Sequence, residues 1–221
     1  MSSLQAIWLA VLSQRAWQLL NMATSSEAPL SKTPKLRGRR RDPQVREAIL
    51  KTLIEQIQTL GYSKVTIDGL AKAAKVGRMT IYRWWKTKAD IALEAADLVA
   101  ESAAPFTEQE SLELTLQSLL SKTFAALQET GALYAALMSE SQSDPDFAAL
   151  FYERFVAKRR QGLEALFRQA QVRGEIADTV NPYLLVDLVY GPMWYRLLLR
   201  HAPLDENYAR ALTQIVMRAA K

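Results

Sequence analysis

At 221 residues, 49% of them apolar, the chain is long enough to bury one large core or two small ones, as an ordinary globular protein does. It has no cysteine, which excludes a disulfide framework and a thiolate metal site and makes a reducing cytoplasm the natural compartment. The net charge of +5 is unevenly spread: Lys32 to Asp90 carries fifteen basic against five acidic side chains, while Ile91 to Lys221 carries twelve against seventeen. One part suits a polyanion and the rest does not.

Residues 1–41 read as an N-terminal extension ending in a basic arm. Leu4 to Leu20 is mostly apolar but is interrupted by Gln5, Ser13, Gln14, Arg15 and Gln18. The uninterrupted part is too short for a bilayer and lacks the flanks of a secretory signal, so no membrane partner is expected. Three readings are open: an extra helix docked on the body, a weak interfacial helix, or an upstream stretch that enters because translation is assigned to Met1 rather than Met22. The last is preferred. After Met22 the chain is polar, and it turns basic between Lys32 and Arg41, through Lys35, Arg37, Arg39, Arg40 and Arg41. Such a cluster reads either as a solvated tail or as an arm that tracks phosphates or enters a minor groove.

Asp42-Pro43 supplies an N-cap and a proline at the first helical position. Val45, Ile49, Leu53, Ile54, Ile57 and Leu60 then form the buried stripe of a first helix ended by Gly61. Thr66 to Lys88 reads as a helix-turn-helix. Ile67, Leu70, Ala71 and Ala74 share one face of a short helix, Lys75-Val76-Gly77 turns the chain, and Gly77 caps a second helix from Arg78. On that helix Ile81 and Trp85 point inward, leaving Arg78, Met79, Thr80, Tyr82 and Trp84 to face DNA. An arginine can grip guanine through two hydrogen bonds, a methionine or ring can pack on a thymine methyl, and hydroxyls can bind phosphate.

At Met79-Thr80-Ile81-Tyr82-Arg83-Trp84-Trp85, followed by Lys88, the chain resembles the tetracycline-repressor (TetR) family of transcription regulators. It departs from the family pattern at Lys75, where a turn glycine is usual, and at Met79, where a small residue is common. A non-glycine residue in the left-handed region costs roughly 1 kcal/mol, which a basic side chain beside phosphate can offset. The resemblance implies base contacts from Arg78, Met79 and Trp84. It also implies phosphate contacts from Thr66, Thr80, Tyr82 and Lys88, to which the basic residues Lys75, Arg39, Arg40 and Arg41 are added on charge. The expected partner is double-stranded DNA, with residues 42–90 forming the DNA-binding domain and 91–221 a larger ligand-binding and dimerisation domain.

Beyond it every signal is helical, so the fold class is all-α. Thr87-Lys88-Ala89-Asp90 fits a capping box opening a helix to about Ser102, a stiff connector to the body. Thr107-Glu108-Gln109-Glu110 fits a second one, opening a helix expected to end before Gly131, with a shorter helix from Ala132 to Ser139. Asp144-Pro145 caps a long helix finishing near Arg173-Gly174. Asn181-Pro182 opens another, with a kink expected at Gly191-Pro192, and a last helix starts near Asp205. No alternating strand pattern competes.

The last two helices are apolar over more than one face, as at a protein centre or a subunit interface. The resemblance favours an interface, implying a homodimer joined through Leu197, Leu198, Leu212, Ile215 and Val216, and therefore a near-palindromic operator. Phe124, Tyr134, Met138, Phe147, Phe151, Tyr190, Met193 and Trp194 are numerous enough to line a cavity for a small apolar effector, although such residues at helical spacing also serve as plain core. Gln128, Gln142, Asp187 and Arg196 are the candidates for its polar contacts.

Catalysis finds little support. His201 is the sole histidine, and no Ser/His/Asp set, metal cluster or phosphate loop accompanies it, so neither a metal nor a cofactor is expected. An effector-free architectural DNA coater would share the basic half but would not need the acidic helical body. A membrane-associated regulator would have to rely on Leu4 to Leu20.

Overall fold

The computed structural model describes residues 42–103 and 109–221, and these are helical with no strand. Helix α1 (Pro43–Leu60) begins where the Asp42 carboxylate accepts the Gln44 N–H at 3.0 Å, and it stops at Gly61, whose φ of 81° only glycine adopts at ease. Its buried stripe is Ile49, Leu50, Leu53, Ile54 and Ile57. Leu60, expected in that stripe, sits in the final turn and is exposed. A short 3₁₀ turn (Tyr62–Lys64) leads to α2 (Ile67–Ala73) and α3 (Arg78–Tyr82).

Helix α4 (Lys88–Ala103) opens with the expected reciprocal cap: the Thr87 N–H donates to Asp90 at 2.9 Å and the Asp90 N–H to the Thr87 hydroxyl at 3.2 Å. The next start differs from expectation. Gln109 to Ser111 are not helical, Thr107 lies outside the described residues, and Ser111 caps α5 (Leu112–Ser143) by accepting the Leu114 N–H. Gly131 does not end this helix. It is buried mid-helix, where a Cβ would lie 2.8 Å from Leu197 Cδ1, so the glycine serves the close approach of a neighbouring helix rather than a stop.

Asp144-Pro145 caps α6 (Pro145–Phe151) as expected, but a π turn (Tyr152–Val156) separates α6 from α7 (Ala157–Val172). Gly174, at φ 76°, lets the chain leave α7. The Asn181 cap opens α8 (Pro182–Leu199), which stays helical through Gly191-Pro192, and Asp205 caps α9 (Glu206–Ala219). Helix α9 packs along α5, α8 along α7, and α1 against α4 and α5, around one continuous apolar core. Two of the expected polar contacts are spent on this scaffold. Gln128 donates to the Leu204 carbonyl at 2.7 Å, and Arg196 donates to the Pro203 carbonyl at 2.8 Å while lying over the Tyr208 ring.

Candidate functional site

The helix-turn-helix is held by local hydrogen bonds that leave one basic face outside. The Thr66 hydroxyl accepts the Gly69 N–H at 3.0 Å and so caps α2. Lys75 sits in the left-handed region at φ 55°, and around it the Lys75 N–H reaches the Lys72 carbonyl and the Val76 N–H the Ala71 carbonyl. The turn is thus made by a lysine whose own side chain is exposed. Gly77 caps α3, Ile81 and Trp85 are buried as expected, and Arg78, Met79 and Tyr82 face solvent, Met79 being 77% exposed. Thr80 is half-buried between them. Arg78 pairs with Asp68 across the turn, 3.1 Å away, an exposed pair of small net worth.

Two of the residues expected to contact DNA also make contacts within the chain. The half-buried Trp84 packs on the core beneath the Arg46 guanidinium, 5.6 Å from its ring centroid. The Lys88 ammonium donates to the Tyr62 carbonyl at 2.9 Å and lies 4.0 Å from the Tyr62 ring centroid; burial pushes its pKa down, opposed by Glu140. It ties the start of α4 to the 3₁₀ turn. Trp85 donates to Glu94 at 2.8 Å, and Arg46 pairs with the same carboxylate. Arg39, Arg40 and Arg41 lie outside the described residues, as does the apolar stretch from Leu4 to Leu20. Among the described residues no helix is long and apolar enough to cross a membrane.

A cavity of about 500 Å³ lies within the body, between α4, α5, the π turn with α7, and α8. That size falls in the usual range of small-molecule sites, about 300–1,000 Å³. Of the eight side chains expected to line it, Tyr134, Met138, Tyr190, Met193 and Trp194 do. Phe124 instead stacks on Tyr208, 5.7 Å between centroids, where α9 meets α5. Phe147 and Phe151 are likewise outside the lining. They form a ladder: Tyr62 to Phe147 at 4.9 Å, Phe147 to Phe151 at 6.1 Å, Phe151 to Phe155 at 5.5 Å, and Phe155 to Tyr134 at 5.4 Å. One end is at the 3₁₀ turn that leads into α2, and the other is the cavity wall.

Ion pairs follow the same line. Arg154 on the π turn meets Asp90 of the α4 cap at 2.5 Å, and Lys158 meets Asp97 at 2.7 Å and Glu101 at 2.6 Å.

Of the cavity's polar wall, made by Arg159, Arg160 and Asp187, sequence reasoning missed the two arginines. Asp187, named as a candidate polar group, pairs with Arg160 at 2.6 Å, and that guanidinium also lies 4.5 Å from the Tyr183 ring centroid. Tyr134 donates to the Ala96 carbonyl at 2.9 Å and Tyr190 to the Arg159 carbonyl at 3.3 Å. Burial pushes both phenols up, Tyr190 to about 12, so they remain protonated. Gln142 reaches only Ser141 on the surface. The signal for Arg159 was its place in an apolar stripe, four residues after Phe155 and four before Leu163.

The expected dimer residues divide. Leu197, Leu212 and Val216 are buried within the chain, holding α8 and α9 against α5. Leu198 and Ile215 are exposed, together with Leu184, Tyr195 and Leu199. His201 is an exposed residue whose ring sits 4.7 Å from that of Tyr195.

Residues 49–95 match the family of bacterial regulatory proteins described as tetR, and residues 106–216 match the tetracyclin repressor-like C-terminal domain. The HTH-type transcriptional regulator YdeS of Bacillus subtilis (strain 168) is 30% identical over 187 residues, covering 84% of this chain and 92% of its own. Rv1556 of Mycobacterium tuberculosis (strain ATCC 25618 / H37Rv), also an HTH-type regulator, is 25% identical over 170 residues, 76% of this chain and 84% of that one. The crystal structure of the TetR-family transcription regulator SCO0332 superposes with a TM-score of 0.64 at 26% identity, covering 80% of this chain and 99% of that one. With both helical parts matched, an exposed helix-turn-helix at the basic end and no enzyme among these relatives, the chain belongs to the TetR family of DNA-binding transcription regulators.

Proposed function

We propose that this regulator is a cytoplasmic repressor that binds a near-palindromic operator as a homodimer and leaves it when a small, largely apolar effector fills the body cavity. The observation that carries the reading is the aromatic ladder from Tyr134 and Phe155 at the cavity wall to Tyr62 beside the helix-turn-helix, flanked by the Arg154–Asp90 pair. An effector that fits better when Phe155 moves shifts the population toward a shape in which two recognition helices no longer match successive major grooves.

In this reading Arg78, Met79 and Trp84 touch base edges, and Thr66, Lys75, Thr80 and Tyr82 meet phosphate. Lys88 uses one of its three N–H donors on Tyr62, so its remaining donors can meet phosphate where the chain turns. The arm through Arg39, Arg40 and Arg41 adds affinity without sequence preference. Residues 42–90 bind DNA and 91–221 bind ligand and partner, the boundary falling inside the stiff helix α4. The homodimer forms through the exposed apolar side chains of α8 and α9, Leu184, Tyr195, Leu198, Leu199 and Ile215.

The test is selection of bound sequences from random duplexes by the purified full-length protein, followed by titration of the selected site with and without apolar ligands. A near-palindromic site whose affinity drops with ligand is expected. Salt-sensitive binding indifferent to sequence would overturn the reading in favour of an architectural role.

A further inference from the structure

We infer that the effector is a monocarboxylate with an apolar tail, and that Arg159 reads its carboxylate. This rests on the cavity being the effector site and names the ligand class that the site takes.

The wall of the cavity is mostly apolar, and its charged groups are few enough to account for singly. Arg160 is matched by Asp187 at 2.6 Å. Lys158, just outside, takes up Asp97 Oδ2 and Glu101. Among the described residues Arg159 has no carboxylate partner. Its Nε and Nη2 are both buried without a hydrogen-bond partner, and Arg160 Nη2 beside it is buried in the same condition. A guanidinium cannot shed its proton to escape this, so the charge stays.

The identity of the two orphaned atoms carries the argument further. Nε and Nη2 lie on one edge of the guanidinium and point their N–H bonds in parallel, the fork that grips a carboxylate through two hydrogen bonds. Elsewhere in this chain the same edge is already used so: Arg168 Nε and Nη2 both reach Glu164 Oε1, at 3.0 and 2.6 Å. In the cavity the fork is built, and among the described residues no carboxylate fills it. The tyrosine hydroxyls do not compete for the ligand as donors, since Tyr134 donates to Ala96 and Tyr190 to the Arg159 carbonyl. Asp187 on the same wall disfavours a second negative charge, so one carboxylate suits the site better than a phosphate dianion. Apolar lining from Val99, Leu119, Leu127 and Met193 receives the tail.

One internal rival exists. Asp97 Oδ1 is also buried without a partner, and both Asp97 and Arg159 act electrostatically on Tyr134, yet no ion pair joins them among the described residues. Were Arg159 to swing to Asp97, it would be a structural residue and would read no ligand.

The experiment is calorimetric titration of the full-length protein, without DNA, with straight-chain carboxylates from octanoate to palmitate, their methyl esters and the alkyl phosphates of matching length. Thermal unfolding of the ligand-free protein accompanies it. Wild type is expected to bind the best carboxylate about 10–100-fold more tightly than its ester. Arg159→Met should lose that preference while binding the ester unchanged. Arg159→Lys, which has no fork, should recover only part of it. Because the methionine variant removes a half-buried guanidinium with two unpartnered nitrogens, its ligand-free Tm should rise by about 2–4 °C. Equal affinity for acid and ester, tighter binding of the phosphate, or no binding by any carboxylate overturns the assignment. A lowered ligand-free Tm in Arg159→Met assigns the residue to the Asp97 pair instead. If esters bind as well as acids and still release the selected operator, the effector reading survives and only the carboxylate assignment falls.

Discussion

Phe151→Leu tests whether the aromatic ladder positions the DNA-reading helix or merely fills space. Phe151 is buried between Phe147 and Phe155, stacked nearly parallel on both, and touches neither the cavity nor the helix-turn-helix. Leucine keeps an apolar side chain there and deletes two ring pairs. Each such pair contributes about 0.5–1.5 kcal/mol beyond its buried area, so the loss is about 1–3 kcal/mol. For a chain of this size, at about 2–4 °C per kcal/mol, that lowers Tm by about 2–12 °C.

The functional effect is separate from the stability effect. If the ladder holds Tyr62 and the helix-turn-helix in the DNA-competent orientation, loosening it lowers the competent fraction, and apparent operator affinity falls in proportion. A competent fraction reduced to between about a half and a fifth gives a two- to five-fold weaker apparent Kd. The assay is anisotropy titration of the selected operator alongside urea unfolding. Should Tm fall as expected while operator affinity and its salt dependence stay at wild-type values, the ladder would be packing alone and the coupling route would have to lie elsewhere.

Arg78→Ala should cost about 1–3 kcal/mol on the selected operator and relax preference at one base step; a uniform loss on all sequences would remove its reading role. Leu198→Glu with Ile215→Glu places charge on the exposed faces of α8 and α9 without entering the core, so sedimentation should find a folded monomer with operator binding weakened more than ten-fold on the order of a lost half-site. Persistence of the dimer would move the interface to another face. Asp90 and Glu175 give a pH test: burial alone would raise both, but hydrogen bonds from Arg154 and Thr87 to Asp90, and from the Leu112 N–H and Arg173 to Glu175, hold both below the ordinary carboxylate range. Their folded pKa values being depressed, the stability they contribute is present above the ordinary carboxyl pKa of about 4 and is lost as pH falls through the folded values. Asp90→Asn should therefore lower the urea midpoint at neutral pH and flatten its fall toward pH 3.

Caps and turns were legible from sequence because their signals are local. Asp42, Thr66, Thr87, Asp144, Asn181 and Asp205 each satisfy orphan N–H groups within three residues, so the chain alone states where those helices begin. Gly131 shows the limit. Within its own helix it reads as a stop, and only Leu197, far along the chain, explains it as a place of close approach. The cavity was half legible for the same reason: Met138 and Trp194 line it, but Phe124 has the same composition signal and packs on Tyr208 instead. Arg159 was passed over because a basic residue on a long helix reads as solvated, and its burial depends on α5 and α8 closing over it.

The π turn is what puts the missed residues to use. In an α-helix each residue advances about 100°, so side chains four apart drift by about 40° at each step. Phe147, Phe151, Phe155 and Arg159 are spaced by four, and on one regular helix the last would stand about 120° from the first, off the face that the phenylalanines share. A π turn has more residues per turn, and the one at Tyr152–Val156 counters that drift between Phe151 and Arg159. Phe155 can then stack on Phe151 and still face the cavity, while Arg159 opens into the same space. The turn's own Arg154 is drawn to Asp90 at the start of α4. One local irregularity therefore aligns the residue inferred to read the ligand, the wall that would feel it, and the link to the DNA-binding helices, none of which a uniform helical period would bring together.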